Sequence, residues 1–275
     1  AIALRAARDG ANVVIAAKTA TAHPKLPGTI YTAAEEVEQL GGKALPVVCD
    51  IRDETQVQDA INKTVERFGG IDIVVNNASA ISTTDSVNTT TKKYDLMNQV
   101  NARGTWLVSK LAIPHLRQAK NPHILVLAPP LNMEPRWFAS HVPYSIAKFG
   151  MSMCVLGMAE EFRSAGIAVN ALWPLTVIHT AALNELSEFA KQIKFTRKPD
   201  IMADAAHLIL GKNSRSFTGN FSIDEVVLRE AGVVDLTKYQ VDQSLAQTDL
   251  MPDLFVSDQQ FQLVDKLRAA HRSRL

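Results

Sequence analysis

The stretch IDIVVNNAS covers residues 71–79, and in it an apolar, β-branched run ends in two amide side chains. A short run of this kind predicts a buried strand over 71–75. Amides placed directly after a parallel strand can tie it to its neighbour and present backbone to a ribose. The stretch therefore predicts a strand whose carboxyl end faces a ligand.

Short apolar runs alternate with helical patterns on both sides of this stretch. Further strands are predicted at 12–17, 43–49, 123–127, 167–172 and 220–223, and helices at 30–40, 53–68, 94–119, 144–165 and 201–210. Pro46 marks the strand at 43–49 as an edge strand. Alternating strands and helices are typical of parallel βαβ units, so the predicted fold class is α/β, a doubly wound parallel sheet with helices on both faces.

Composition limits the class of protein. The chain has 275 residues, 47% of them hydrophobic and 21% charged, which suits one large globular domain. A net charge of +1 favours no nucleic-acid partner. Cys49 and Cys154 lie in apolar runs, which favours reduced thiols and an intracellular protein. The sequence predicts no membrane span, no signal peptide and no metal site.

The chain is expected to divide near residue 223. Residues 1–223 form the predicted domain, and 224–275 form an extension with a possible helix at 258–270. The polar, mixed segment 235–257 is interpreted as a tether. Residues 1–9 resemble the last two turns of a helix closed by Gly10, so we expect the true N-terminus to be missing.

The sequence YSIAK at 144–148 carries an acid/base device. Tyr144 and Lys148 are four residues apart, so on a helix they share one face. A nearby ammonium stabilises a phenolate and lowers the tyrosine pKa from ~10. Such a tyrosine can give a proton to a carbonyl oxygen or take one from an alcohol. The alternative is a core tyrosine and a solvated lysine that share a helix by chance.

Four motifs in register resemble the short-chain dehydrogenase/reductase family over residues 1–223. They are NNAS at 76–79, the helix residue Asn101, YxxxK at 144–148 and VNALWP at 169–174. The resemblance implies a Rossmann-type fold and a nicotinamide cofactor. It also implies a homo-oligomer, because the helices at 94–119 and 144–165 commonly pair across a two-fold axis in this family.

The resemblance also implies a role for each matched residue. Tyr144 would be the acid/base, Lys148 would lower its pKa and hold the nicotinamide ribose, and Asn101 would anchor the water of a proton relay. The cofactor is expected to meet four more residues: Asn77 and Ala78 at the ribose, Asp50 at the adenine and Pro174 at the nicotinamide.

The sequence departs from the family pattern in its glycine-rich turn, TGxxxGxG, which should precede Ala1 together with a central strand. Without that strand the sheet is expected to have a gap. The turn is also where the pyrophosphate meets a helix N-terminus. We therefore expect the chain as given to bind dinucleotide weakly or not at all.

A second departure concerns the catalytic serine, which the family places after the strand at 123–127. Pro129 stands there, and neither Ala128 nor Pro130 offers a hydroxyl. Losing such a donor commonly costs ~3 kcal/mol of barrier. Asn132 or Ser140 could replace it, or both could be ordinary loop residues.

The end of the strand at 12–17 predicts the cofactor. Enzymes that prefer NAD usually carry an acidic residue there, whereas this chain has Lys18, a cation suited to a 2′-phosphate. We predict NADP; a solvated Lys18 without a cofactor role is the alternative.

Two functions are compatible with these residues. One is an oxidoreductase that transfers a hydride between NADP(H) and an apolar, lipid-derived carbonyl or alcohol. The other is a non-catalytic dinucleotide- or lipid-binding regulator, which Pro129 favours. The final residues Ser273-Arg274-Leu275 resemble a peroxisomal address, so we predict the peroxisome, with mitochondrion or cytosol as alternatives.

Overall fold

The computed structural model describes residues 1–22, 28–184 and 190–272. The strands in these ranges are β1 Asn12–Ala17, β2 Lys43–Val48, β3 Ile73–Asn76, β4 His123–Val126, β5 Ala168–Trp173 and β6 Phe221–Ile223. The α-helices are α1 Ile2–Ala7, α2 Ile30–Gln39, α3 Glu54–Phe68, α4 Thr91–Asn98, α5 Gly104–Leu116, α6 Arg136–Ala139, α7 Val142–Glu161, α8 Ala181–Asn184, α9 Asp200–Leu210, α10 Asp224–Glu230 and α11 Asp258–Arg272. A π-helix covers Gln99–Arg103, and 3-10 helices cover Ala190–Phe195, Thr237–Tyr239 and Gln247–Asp249.

The strands form parallel sheets in two parts. β1 pairs with β2, and a second sheet has the order β3-β4-β5-β6. β2, which contains Pro46, pairs only with β1 among the described strands, so it is an edge strand as predicted. Within the described residues no strand joins β1 to β3, and a gap in the sheet is what the sequence leads us to expect.

Helices cover both faces of the four-stranded sheet. Side chains that alternate along β4 point to opposite faces. Ile124 packs with α3, α5 and α7 on one face, whereas Leu125 packs with α9 and α10 on the other. The prediction of a doubly wound α/β fold is therefore confirmed.

Most predicted boundaries differ from the structure by a residue or two, and the helix predicted over 144–165 ends at Glu161. Two further differences lie close to the candidate site. β3 begins at Ile73 rather than at residue 71. The single helix predicted over 94–119 is divided by the π-helix Gln99–Arg103 into α4 and α5.

The interpretation of 235–257 as a tether is wrong. Five apolar side chains of this segment are buried: Leu236, Tyr239, Leu250, Phe255 and Val256. The segment looks polar in sequence because its buried residues are widely spaced and belong to no α-helix or β-strand. It returns the chain to the core before α11 begins.

α7 is the central helix of the fold. Among the described helices it alone has the length and mean hydropathy, 1.2 over its most apolar window, of a membrane span. However, 61% of that window is buried by the rest of the chain. The helix is therefore a core element, and its apolar composition is weak evidence for a membrane span.

Candidate active site

α7 places Tyr144 and Lys148 one turn apart and buries both, with 6% and 3% of their surfaces exposed. Lys148 Nζ donates a hydrogen bond to the carbonyl of Leu127, just after β4, at 2.8 Å. The same Nζ lies 4.9 Å from the ring centroid of Trp173, the last residue of β5. The pair thus stands at the carboxyl ends of the strands, where open α/β sheets bind ligands.

Burial dominates the electrostatics of this pair. It lowers the pKa of Lys148 to about 7, and the Asp253 carboxyl opposes that change. Burial also raises the pKa of Tyr144, and Asp253 adds to the rise. The sequence predicted a tyrosine pKa lowered by Lys148; in this structure the opposite holds, because both groups are desolvated and Lys148 Nζ is bound to the Leu127 carbonyl.

Phe255 is the centre of an aromatic cluster around Tyr144. It is fully buried, and its φ of 68° lies in the left-handed region that bulky residues rarely adopt. Its ring centroid lies within 5.4–6.2 Å of five others, those of Trp137, His141, Tyr144, Phe149 and Trp173. Sequence analysis missed this residue, since nothing local in 235–257 indicates contact with α7.

Two aspartates that sequence analysis also missed bind the peptide of Leu175, next to Pro174, Asp253 through its backbone and Asp224 through its carboxyl group. The backbone N–H of Asp253 donates to the Leu175 carbonyl at 3.1 Å, and the Leu175 N–H donates to Asp224 Oδ1 at 2.9 Å. Burial raises the pKa of Asp253 to about 7 and that of Asp224 to about 6. One signal was available: Asp224 directly follows the last strand, at the ligand edge of the sheet.

Asn101 lies in the π-helix and is fully buried. Its side chain accepts from the Ala80 N–H at 2.7 Å and donates to the Ala80 carbonyl at 3.0 Å. The predicted local departure from α-helical geometry is therefore confirmed. Since the side chain fixes the loop after β3, a relay water would have to bind the backbone carbonyl of Asn101 instead; this role stays a prediction.

The loop after β4 contains the position of the missing serine and its two candidate replacements. Pro129 is buried, and its carbonyl accepts a hydrogen bond from Ser152 Oγ at 2.7 Å. Asn132 Oδ1 accepts from the Glu134 N–H at 3.2 Å, while its buried Nδ2 has no hydrogen-bond partner in the described part of the chain. Ser140 is exposed after α6. Of the two candidate replacements, Asn132 has the unused donor.

A cleft of about 620 Å³ opens beside this loop. One wall consists of residues 130–134 and the other of residues 257–260, at the start of α11. The cleft brings Asn132 together with the C-terminal part of the chain. Tyr144 and Lys148 are not among the residues that line this cleft.

Two cationic side chains lie near the carboxyl ends of β1 and β2. Lys18 is exposed at the end of β1, beside Asp50 at the end of β2. Arg52 forms an ion pair with Asp50, with an Nη2–Oδ2 distance of 2.5 Å, and these hydrogen bonds hold the pKa of Asp50 at about 2. Asp50 is thus an ionised carboxylate between two cations.

The remaining predicted cofactor residues directly follow two other strands. Asn77 and Ala78 are exposed directly after β3, and Pro174 is buried directly after β5. Asn76 differs from the prediction, because its amide donates to Ser109 Oγ of α5 at 3.0 Å and so ties β3 to a helix rather than to a strand. The other assignments are compatible with the positions found and remain predictions.

Metal-ligating residues do not cluster in the ranges the structure covers: no group of three or more His, Cys, Asp or Glu side chains is placed to hold an ion. The expectation of no metal site remains a prediction for the whole protein.

The chain belongs to the short-chain dehydrogenase/reductase family. Residues 1–219 match the family model described as enoyl-(acyl carrier protein) reductase. A crystal structure from Xanthomonas campestris is 53% identical and superposes with a TM-score of 0.89 over 94% of this chain and 93% of that one. A short-chain dehydrogenase from Mycobacterium thermoresistibile is 51% identical, with a TM-score of 0.86 over 93% of this chain and 90% of that one.

Curated relatives give a more particular similarity. Hydroxysteroid dehydrogenase-like protein 2 of Danio rerio is 59% identical over 98% of this chain and 63% of its own length. The protein of the same name from Bos taurus is 60% identical over 94% of this chain and 60% of its own length. The chain therefore spans about three fifths of these relatives. The family resemblance inferred from the motifs is confirmed, and with it an oxidoreductase fold that binds nicotinamide dinucleotides.

Proposed function

We propose that the protein is an oxidoreductase that transfers a hydride between NADP(H) and an apolar, lipid-derived carbonyl or alcohol. The observation that carries this proposal is the buried Tyr144–Lys148 pair at the carboxyl edge of the sheet. A proton donor held in a dry, apolar site next to a cation is suited to carbonyl reduction.

The cofactor, Tyr144 and Lys148 each have a separate role in the reduction. The bound dinucleotide supplies the hydride. Tyr144 gives its hydroxyl proton to the substrate oxygen, and Lys148 in its ammonium form stabilises the resulting phenolate. Because burial raises the Tyr144 pKa, the phenolate is costly without that cation, so the charge of Lys148 is needed for turnover.

The choice of NADP is supported by the cations at the adenine end. Lys18 and Arg52 flank Asp50, and a 2′-phosphate is a dianion that such a pair can bind. The residues there fit the phosphorylated cofactor better than NAD, since Asp50 is already bound by Arg52. A metagenomic short-chain oxidoreductase of the same fold, 21% identical with a TM-score of 0.65, is a complex with NADP.

The apolar substrate class is supported by the aromatic side chains. Trp137, which is half-buried, contacts Phe255 of the aromatic cluster around Tyr144, and a ligand that buries apolar surface against it gains roughly 25 cal/mol per Å². Asn132 Nδ2 is assigned the carbonyl-orienting role of the missing serine, since it is a buried donor without a partner among the described residues.

The regulator hypothesis has one specific observation in its favour. Pro129 stands where the family has its catalytic serine, so a protein that binds dinucleotide without turnover would tolerate it. The two functions differ in a single measurable property, which is turnover of a bound carbonyl substrate.

The test uses full-length protein, NADPH and apolar ketones of increasing chain length. Tyr144→Phe should abolish ketone-dependent NADPH oxidation and leave NADPH affinity within about twofold, because the ring is kept and only the acid is lost. Tyr94→Phe, an exposed tyrosine on α4, should behave as wild type. Asn132→Ala should lower kcat where Ser140→Ala does not.

Three outcomes would decide against parts of this proposal. Full turnover by Tyr144→Phe would remove Tyr144 as the acid. Tight NADPH binding with no turnover on any ketone would favour the regulator. Competition experiments in which NADH displaces NADPH at equal concentration would overturn the cofactor choice.

The cellular location remains a proposal. Ser273–Leu275 lie outside the described residues, so the peroxisomal address rests on the sequence alone. The test is the fluorescence of an N-terminally tagged chain with and without these three residues, and a diffuse signal from both would remove the peroxisomal claim.

A further inference from the structure

The helix α11 packs against the part of the core that contains Tyr144. Val264 of this helix is fully buried, and the partly buried Phe261 packs against the same apolar cluster as Tyr144. The first residues of α11 also form one wall of the cleft beside the loop after β4, and Leu131 of the opposite wall packs against that cluster too. α11 is therefore part of the surroundings of the proposed active site.

One side chain of α11 joins this helix to α10 through charge. Arg268 Nε donates to Glu225 Oε1 at 3.0 Å, and Arg268 Nη2 lies at the same distance from that oxygen. The Arg268 side chain is 17% exposed and that of Glu225 is fully buried, so water screens this pair only weakly. A second ion pair, between Arg136 and Asp258 at 3.4 Å, is exposed, and pairs of that kind contribute little.

Glu225 does not depend on Arg268 to balance its charge. Arg229 Nε donates to Oε1 of Glu225 at 2.7 Å, and Arg197 Nη2 donates to Oε2 at 2.6 Å, so three guanidinium groups share one carboxylate. Of the three, Arg268 is the most exposed and has the longest contact. If Arg268 moves away, each oxygen of Glu225 keeps a cation and no buried carboxylate is left unpaired.

Arg197 is held in place by its own backbone. Its N–H donates to the Val177 carbonyl at 3.0 Å, and its carbonyl accepts from the His179 N–H at 2.8 Å, which fixes the chain after β5. That chain and α10 thus stay joined to Glu225 whether or not Arg268 is present. The contact that can open without disturbing the others is the one made by α11.

The chain before α11 is anchored separately. Trp173 Nε1 donates to the Leu254 carbonyl at 2.8 Å, and Phe255 and Val256 are buried. A movement of α11 would therefore begin after residue 256 and leave the contact between Phe255 and Tyr144 in place.

We propose that α11 is a movable wall of the substrate site and that Arg268 is the positioning residue that holds it closed. The proposal rests on the function proposed above and deepens it by adding a contact that depends on the length of the substrate. Tyr144 does not line the cleft, so a short ketone bound at Tyr144 stays clear of α11, whereas a long apolar chain reaches it. Arg268 acts through the helix and does not touch the substrate.

The first experiment measures the opening of α11 by amide hydrogen exchange in the full-length protein without substrate. Arg268→Gln should make the peptide 258–270 exchange about tenfold faster, because a hydrogen bond between charged groups is lost. Exchange in α10 should stay as in the wild type, since Arg197 and Arg229 still bind Glu225. Arg268→Lys keeps the positive charge and should restore part of the protection.

Lys266→Gln is the matched control, because it removes one positive charge from an exposed position on the same helix. Its exchange should equal that of the wild type. Equal exchange of 258–270 in Arg268→Gln and the wild type would overturn the proposal, whatever the activity of the protein. An Arg268→Gln protein that is unfolded, or that exchanges faster by the same factor in α10, would also overturn it, because only α11 is assigned to Arg268.

The second experiment measures KM and kcat for straight-chain ketones from butanone to dodecanone. Arg268→Gln should raise the KM of the longest ketones about fivefold and leave their kcat close to that of the wild type, because Tyr144 and Lys148 are unchanged. Both constants for butanone should stay the same, and Arg268→Lys should bring the raised KM back toward the wild-type value. A change in KM that is independent of chain length, or equal in Lys266→Gln, would overturn the proposal.

A binding measurement separates this proposal from the proposed function. Calorimetry on the full-length protein with NADP+ gives the Kd of the same ketones without any turnover. A wild-type protein that binds the ketones but reduces none contradicts the proposed function alone, and Arg268→Gln should still weaken dodecanone about fivefold and butanone not at all. A protein that reduces ketones, but whose Kd values Arg268→Gln leaves unchanged at every length, contradicts the movable wall alone.

Discussion

At the scale of single residues, burying the Lys148 ammonium lowers the free energy of unfolding but places the group where the proposed reaction needs it. An ammonium removed from water is disfavoured, and this lowers its pKa from 10.5 to about 7. Each unit of such a shift corresponds to about 1.4 kcal/mol between the two protonation states. Between pH 7 and 10.5 the unfolded chain binds more protons than the folded chain, so this contribution makes stability rise with pH in that window.

Lys148→Met should therefore be more stable than the wild type at pH 7, and its advantage should shrink as pH rises toward 10.5. The same variant should lose both turnover and cofactor affinity, which is the trade-off expected of an active-site residue. The measurement is the free energy of unfolding by urea at several pH values. Lys120→Met, at an exposed position, should show no such pH dependence. A stability difference that is flat with pH would contradict this account.

At the scale of elements, α7 and the π-helix Gln99–Arg103 pack unusually closely. A Cβ added at Gly150 would lie 2.6 Å from the Cβ of Ala102, so only glycine permits the contact. The contact holds the π-helix, and with it Asn101, against the helix that carries Tyr144. A glycine there has a packing reason that outweighs its low helix propensity.

Gly150→Ala should destabilise the protein by roughly 1–3 kcal/mol through overpacking. Gly157→Ala is the matched change on the same helix, where no atom lies within 4 Å of the added Cβ. There the gain in helix propensity should stabilise by up to ~1 kcal/mol. Urea denaturation of the two variants gives the comparison, and equal effects would show that the Gly150 contact is unimportant.

The elements that could be predicted from sequence are those with local signals. Apolar runs located the strands, and β3 was misplaced by only two residues because Ile71 belongs to the same run. The π-helix inside 94–119 left a trace in Asn101, a poor helix former. The spacing of Tyr144 and Lys148 defined the centre of the site, since residues four apart on a helix share a face.

The part of the site contributed by 251–256 could not be predicted. Phe255 contacts Tyr144 of α7 across more than 100 intervening residues, and no periodicity marks it. The pKa of Tyr144 was predicted in the wrong direction for a related reason. Spacing shows which groups are neighbours, whereas burial depends on the whole fold.

At the scale of the whole molecule, exposed apolar side chains concentrate on α4, α5 and α7. They are Leu96, Trp106, Ile146, Met153 and Leu156. Large apolar side chains that are exposed on neighbouring helices are typical of interaction sites. It supports the homo-oligomer proposed from the family, with these helices at the interface.

Leu156→Glu should weaken that assembly, because a carboxylate in an apolar interface is desolvated without a partner. Size-exclusion chromatography with light scattering on full-length protein should show a smaller particle for this variant. Val87→Glu changes an exposed valine in a loop and should leave the mass unchanged. A wild-type protein that is monomeric at all concentrations would exclude the proposed interface.

The large separation in sequence between Phe255 and α7 has a consequence for synthesis. A ribosome releases the helix with Tyr144 and Lys148 long before it releases the residue that packs against them. Until then the nascent chain keeps this pair in contact with water, so lysine stays charged and tyrosine stays easy to ionise. The shifted acidities of the pair arise only when translation has passed residue 255, so proton chemistry of this kind waits for a residue more than 100 positions beyond the tyrosine that performs it.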